Sequence, residues 1–232
     1  MKRQIVVVGL GRFGASVAHT LHSLGHDVLA IDTDEKTVQA LAPEITQAIQ
    51  ADGTNETVLR ELGISNFDIA IVAIGSAIEA SVLSTILLKK LGLPYVISRA
   101  DNALHGSILE KIGADKVVYP EQEMGARVAY VVTLAEVEYY MPLVTGYGVA
   151  RLTAPQYLVG EKLGDVGFGP EGKWEVAVVL IQRQKEILVT PSQQEIIKDE
   201  DVLVVAGNND NLEKLLQAAR KVQEEEGKNG GG

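Results

Sequence analysis

The sequence predicts an α/β fold: a doubly wound parallel sheet with a smaller α+β domain behind it. Three observations carry this. Ile5-Val6-Val7-Val8 runs straight into Gly9-Leu10-Gly11-Arg12-Phe13-Gly14, and a helix-period pattern follows at once. Apolar strand-like runs then alternate with helical patterns as far as residue 134. Near Glu136–Thr145 the pattern changes, and short strand-like runs take over.

The first strand is expected near 4–9, with further strands near 27–32, 46–51, 67–74, 94–98 and 115–119. These runs show almost no polar alternation, as expected of parallel strands covered by helices on both faces. Helices are expected near 12–24, 34–42, 54–62, 77–91, 102–112 and 121–134. Asp34 suits a helix start, and Gly25, Gly63, Gly92 and Gly113 suit helix ends. Pro94 suits a strand opening, where its missing N–H costs least. The helix near 77–91 carries Ile78, Val82, Leu83, Ile86, Leu87, Leu88 and Leu91, wider than one core-facing stripe, so part of it is expected to meet another subunit. Met124, Val128, Val131 and Val132 give 121–134 the pattern of a covering helix or of a crossover leaving the domain. The domain boundaries read 1–134, 135–222 and a polar, glycine-rich tail at 223–232. In the second domain, strands are expected at Gly148–Thr153, Glu175–Arg183, Glu186–Val189 and Val202–Ala206, and helices near Pro155–Gly164 and Asn211–Val222.

The chemistry-bearing part is the glycine loop with its terminal acid. Gly9 allows a sharp turn at the strand end, Gly11 lets a pyrophosphate approach the backbone, and Gly14 lets the helix sit close to the sheet. The helix N-terminus offers N–H groups and partial positive charge to phosphates. Asp32, twenty-one residues after Gly11, closes the second apolar run and suits ribose hydroxyls. A carboxylate there repels a 2′-phosphate, which argues against NADP. Arg12 suits a further phosphate charge, or else is a solvated arginine on the first turn.

The bulk numbers exclude several classes. A net charge of −10 without a basic run argues against nucleic acid. With no cysteine, the chain has no disulfides, thiol catalysis or zinc–thiolate sites. The most apolar stretch, Ile69–Ile78, contains Gly75 and Ser76 and is too short to span a bilayer. Met1-Lys2-Arg3-Gln4 enters a strand directly, without a signal-peptide h-region, so a cytosolic protein is expected.

The first 134 residues resemble the RCK (regulator of K⁺ conductance) domain, and the remainder resembles its companion C-terminal domain. The marks are the Gly9–Gly14 loop, Ala51-Asp52-Gly53-Thr54, Ile71-Val72-Ala73-Ile74-Gly75, and Lys111–Asp115 leading to Tyr119-Pro120-Glu121. In the second domain they are Ala177–Arg183, Pro191 and Asp199–Gly207. The chain thereby resembles the cytosolic regulatory subunit of Trk/Ktr-type potassium uptake systems. The resemblance implies a non-enzyme that binds ATP, ADP or, in some members, NAD or NADH. It implies dimers assembled in a ring, commonly an octamer, peripheral to the inner face of the membrane through a potassium-translocating partner. Carried over, Gly9, Gly11, Arg12, Phe13 and Gly14 hold phosphates, and Asp32 holds the ribose. Asp52 lies at the adenine edge, Ile74 and Gly75 line the base pocket, and Arg99 reaches the phosphates. Glu121 matches an acidic position beside the γ-phosphate and a Mg²⁺ or Ca²⁺ ion. Some ring subunits of the family bind cyclic di-AMP in the C-terminal domain. Here Asp165–Glu171 offers glycines and acids and no arginine for a phosphate, which argues against that ligand.

The alternative is an NAD-dependent oxidoreductase, which fold alone does not exclude. It needs a proton donor facing the nicotinamide. His19, His22 and His26 fall on or after the first helix, away from the strand ends, and only His105 is placed to approach the crevice. No nucleophile elbow, P-loop lysine or paired-carboxylate signature appears.

Overall fold

The computed structural model describes residues 1–133, 137–169 and 171–218. The chain divides into two compact units, Met1–Gln122 and Glu123–Gly232.

In the first unit, β1 (Gln4–Val8), β2 (Asp27–Asp32), β3 (Gln47–Gln50), β4 (Ile69–Val72), β5 (Tyr95–Arg99) and β6 (Lys116–Val118) form one sheet. Every pairing is parallel, and the order is β3-β2-β1-β4-β5-β6. The chain winds outward from β1 to β3, returns to β4 beside β1, and winds outward the other way. That reversal opens a crevice at the carboxyl ends of β1 and β4. The helices between strands are α1 (Arg12–Ser23), α2 (Glu35–Leu41), α3 (Glu56–Glu61), α4 (Ile78–Lys90) and α5 (Ala103–Lys111). Along β1, Ile5 and Val7 enter one buried cluster with Ala18, Val28 and Val38, while Val6 and Val8 enter another with Leu29, Leu59 and Leu88. Both faces of the strand are covered, so the run needs no polar alternation. Gly25, Gly63, Gly92 and Gly113 end helices with positive φ, as expected of left-handed C-terminal turns.

α4 buries a hydroxyl-rich face and leaves part of its broad apolar surface exposed. Its buried residues are Ser81, Ser84, Thr85 and Leu88, whereas Ile78, Leu83 and Ile86 are exposed. Small hydroxyls let it pack closely. Ser84 Oγ donates to the Gly53 carbonyl at 3.0 Å, and Thr85 Oγ1 meets Ser81 O at 2.8 Å and Ser98 Oγ at 2.9 Å.

α6 (Pro120–Thr133) runs across the division between the compact units, ahead of the 134/135 boundary read from the sequence. Its later part belongs with the second core. The Tyr130 ring lies 4.2 Å from that of Tyr140, whose hydroxyl donates to Asn209 at 2.6 Å.

The second unit is an antiparallel sheet of β7 (Val137–Val144), β8 (Tyr147–Thr153), β9 (Val176–Arg183), β10 (Glu186–Val189) and β11 (Val202–Asn208), in the order β10-β9-β11-β8-β7. Residues 209–218 are helical and bury Leu212, Leu215 and Leu216 against it. β7 lies where the sequence shows only a change of pattern. It is an edge strand, exposed at six of eight positions, so it lacks the buried alternation that marks its neighbours. The helix expected near Pro155–Gly164 is not formed. Only Gln156–Leu158 makes a 3₁₀ turn, and Val159 is already extended. Gly160 takes φ 89°, and its N–H donates to Ile197 O while Ile197 N–H donates to Glu161 O. Strand-like pairing with 193–197 buries Leu158 and Leu163 without a helix. Residues 219–222 of the last expected helix, and the tail 223–232, lie outside the described residues.

Candidate functional site

A cleft of about 390 Å³ opens at the carboxyl ends of β1, β2, β4 and β5. Its walls bring together Gly9, Gly11, Asp32, Asp52, Ile74, Gly75 and Arg99, seven of the residues singled out from the sequence. Arg12, Phe13, Gly14 and Glu121 do not line it but flank it in identifiable ways.

The glycine loop has the shape its residues predict. Gly9 takes φ 93°, and a Cβ there would press on Ile74. A Cβ on Gly14 would collide with the Gly9 carbonyl, so α1 sits against the strand end only because Gly14 has no side chain. Gly11 serves differently: the space where its Cβ would lie is open to 4 Å, leaving the backbone approachable. Phe13 packs into the core beneath the loop, and Arg12 is exposed.

Helix capping separates the cleft from its surroundings. α2, α3 and α5 are capped by Asp34, Asn55 and Asn102, each accepting a first-turn N–H. α1 and α4 have no side-chain cap, and their N-cap residues, Gly11 and Ala77, both line the cleft. Unpartnered first-turn N–H groups and the positive helix end make an anion site.

Two carboxylates line the same cleft. Asp32 accepts from the Leu10 N–H at 2.5 Å and from the Asp34 N–H at 2.9 Å, so it braces the glycine loop and keeps lone pairs for hydroxyl donors. Asp52 accepts the Thr54 hydroxyl at 2.7 Å and the Thr54 N–H at 2.8 Å on one oxygen, which holds its carboxyl below the usual range and leaves the other oxygen free. A Cβ on Gly53 would collide with Val8, so this turn lies directly over β1.

Arg99 supplies the cation. Its guanidinium lies over Gly75, where a Cβ would displace it, and 5.9 Å from the Phe13 ring centroid. Nη2 donates to Glu121 Oε1 at 2.6 Å, and Nε is buried without a hydrogen-bond partner among the described residues. Thr33, Thr54, Ser76, Ala77, Ala80 and Asp101 also line the cleft and are missed by the sequence reading. Asp101 lies two residues past Arg99 at a strand end, where the crevice rule alone points. His105 does not line the cleft. It is buried, its Nδ1 accepts the Asp101 N–H at 3.2 Å, and burial pushes its pKa down against the pull of the Asp101 charge. It shapes the wall rather than facing a ligand.

The arrangement suits an elongated molecule with an anionic centre, hydroxyl groups and a flat apolar end. Open amides and Arg99 meet the anion, Asp32 and Asp52 meet hydrogen-bond donors, and Val8, Ile31 and Ile74 supply apolar surface. Among the described residues, no three His, Cys, Asp or Glu side chains gather as a metal site, and no helix is long and apolar enough to cross a membrane.

Comparison with known proteins gives matches along most of the chain. The TrkA-N domain family matches residues 5–120 and the TrkA-C domain family residues 149–219. The chain is 38% identical over 213 residues to Ktr system potassium uptake protein A of Bacillus subtilis, covering 92% of this chain and 95% of that protein. It is 34% identical over 217 residues to Ktr system potassium uptake protein A of Vibrio alginolyticus, covering 93% and 97%. Among solved structures, the GsuK RCK domain superposes with TM-score 0.62 at 16% identity, covering 94% of this chain and 47% of that chain. The GsuK channel bound to NAD superposes with TM-score 0.61 at 15% identity, covering 91% and 38%. The chain thus spans less than half the length of those two chains, and at such identity they establish the fold.

Proposed function

The chain belongs to the TrkA-N and TrkA-C domain family of Ktr/Trk potassium uptake proteins, and from that premise we propose that it is a cytosolic subunit whose first unit binds ATP or ADP, with NAD or NADH as the other candidates, to regulate a membrane potassium-translocating partner. The observation that carries this reading is the cleft's mixed lining: uncapped α1 and α4 and Arg99 offer positive groups, while Asp32 and Asp52 offer hydrogen-bond acceptors. The glycine loop and Arg99 meet the phosphates, Asp32 the ribose, and Asp52 the adenine edge beside Ile74 and Gly75. Arg12, exposed at the head of α1, serves a terminal phosphate. The protein is no enzyme: its relatives along the whole chain are potassium uptake proteins, and the oxidoreductase alternative is set aside.

Glu121 takes the divalent-cation role. One carboxylate, a phosphate oxygen and water suffice for Mg²⁺, and Ca²⁺ accepts a looser set of oxygens. With ADP the γ-phosphate is missing, so the cation is expected to tighten ATP and not ADP. Dimers joined through α4 and α6 form the ring. Ile78, Leu83 and Ile86 on the first, and Met124, Val128 and Val132 on the second, are exposed apolar residues that a neighbouring copy would cover. The ring, an octamer in this reading, sits at the inner face of the membrane on its partner, and the bound nucleotide biases its shape only by its differential affinity for two shapes.

A thermal-shift panel of ATP, ADP, NAD, NADH and NADPH, with and without Mg²⁺ or Ca²⁺, tests the ligand assignment. A ligand at about 100 times its Kd adds about 2.7 kcal/mol of stability. The expected result is a shift with ATP and ADP and none with NADPH; no shift with any adenine nucleotide ends the reading. Light scattering tests the assembly. A 24.9 kDa monomer at micromolar concentration contradicts the ring, and Val128→Asp is expected to lower the oligomer mass.

A further inference from the structure

Among the described residues, Arg99 is the only cation lining the cleft, and it already has a carboxylate partner. The two side chains are unequal. Arg99 retains 19% of its side-chain exposure and is fixed between Gly75 and Phe13, whereas Glu121 retains 65% and stands at the second position of α6. The guanidinium is therefore built in and the carboxylate is the free-swinging member. A phosphate entering the cleft approaches a guanidinium whose Nη2 is committed and whose charge is neutralised at 2.6 Å. It also approaches the negative charge of Glu121 itself.

We infer that Glu121 is a tethered competitor for the cleft's phosphate site: its carboxylate and a ligand phosphate are alternative partners of Arg99. The inference rests on the reading of the cleft as a nucleotide site and adds a step to it. When a phosphate takes Arg99, Glu121 is released at the first turn of α6, the helix that crosses the division between the two compact units. Release has two consequences. Glu121 becomes available as an oxygen ligand for a divalent cation, and the head of α6 loses its tie to the end of β5. The geometry favours exchange over permanence, because an ion pair with one largely exposed member is worth little, while a phosphate also collects the open amides of α1.

Because the exposed pair is worth at most about 1 kcal/mol, removing the competitor is expected to tighten an anionic ligand by about two- to fivefold. The test uses the full chain and calorimetric titration of ADP and of inorganic pyrophosphate, both without divalent cation. Wild type is compared with Glu121→Gln, Arg99→Gln and the double variant, with denaturation midpoints to confirm folding. Tighter binding of both ligands to Glu121→Gln supports the inference, provided the gain vanishes in the Arg99→Gln background. Unchanged or weaker binding to Glu121→Gln overturns it. So does an equal gain in both backgrounds, which would make Glu121 a general source of repulsion rather than a rival for Arg99. If Arg99→Gln fails to fold, Arg99→Lys replaces it in the cycle, and the same rule decides: a gain that shrinks in that background supports the inference, and an equal gain overturns it. Failure of the wild type to bind ADP at all is a different result, and it removes the nucleotide cleft itself.

Discussion

Arg99 in the first unit and Arg183 in the second are buried to almost the same extent, with 19% and 17% of their side chains exposed, yet they are partnered in opposite ways. Every nitrogen of the Arg183 guanidinium donates. Nε and Nη2 form a fork on Asp201 at 2.8 Å each, Nη1 meets Glu195 at 2.9 Å, and Nη2 also meets the Ile196 carbonyl at 2.9 Å. Asp201 is fully buried and takes a further N–H from Lys198 at 2.8 Å. Arg99 makes one hydrogen bond, to an exposed carboxylate, and keeps Nε buried and unpartnered among the described residues. The polar surface near Arg183 is also concave, lined by Lys185, Glu186, Lys198 and Glu200. Concavity and charge therefore do not separate a site from a staple. What separates them is whether the donors are already spent: a satisfied buried fork holds loops together, and an under-used guanidinium beside uncapped helices is available for a ligand.

The largest expected effect breaks the second member of the pair. Arg183→Ala leaves Asp201 buried without its cation and is expected to cost about 3–5 kcal/mol in chemical denaturation. The same pair sets a pH dependence. Burial alone pushes the Asp201 carboxyl up, but hydrogen bonds from Arg183 and the Lys198 N–H, with the charges of both residues, outweigh it and hold the carboxyl below its ordinary range. The contribution is present above the unfolded carboxyl pKa of about 3.9 and is lost as pH falls from there through the lowered folded value. Wild-type stability should decline over that window more steeply than that of Arg183→Ala. Equal slopes would mean the pair is not the titrating unit.

Next in size are the ligand contacts of the first unit. Asp32→Ala is expected to weaken every ribose-bearing ligand by about 1.5–3 kcal/mol in calorimetry, because it removes a charge-assisted hydrogen bond. It also releases the Leu10 N–H that braces the loop. Unchanged ADP affinity would leave Asp32 as that brace alone. Gly75→Ala sharpens the comparison further, because the added methyl meets the Arg99 guanidinium itself rather than backbone. It should lower anion affinity while leaving the denaturation midpoint nearly in place; a loss of stability matching Arg183→Ala would show that Arg99 too is structural. The smallest effect belongs to Arg12→Ala, at most about 1 kcal/mol for an exposed charge, and larger for ATP than for NAD if it meets a terminal phosphate. Equal losses would make it a general pyrophosphate contact.

The first unit was legible because its signals are local. Gly9 and Gly14 are dictated by a turn and a close approach, and unbroken runs such as Ile5–Val8 follow from burial on both faces. The acid at the end of β2 sits within reach of the loop because parallel strands put both at one edge. The second unit was less legible where long-range pairing decides the structure. β7 is an exposed edge strand whose sequence carries no alternation, and 155–164 has helical apolar spacing but is drawn into pairing with 193–197. The serine- and threonine-rich core face of α4 escaped for a related reason. The Ser84 and Thr85 hydroxyls are satisfied by the Gly53 and Ser81 carbonyls and the Ser98 hydroxyl, partners that spacing does not reveal. The Arg99–Glu121 pair joins residues twenty-two apart, and nothing in either segment alone announces it.

Hydrogen exchange on the full chain, with and without saturating ADP, tests most directly whether the first unit holds the ligand and the Arg183 surface does not. Bound ADP should slow exchange in the Gly9–Gly14 loop and the first turn of α1, and across 52–54 and 75–77, with no change across 183–201. Protection confined to 183–201, or ADP binding that leaves the glycine loop exchanging as before, would contradict the account.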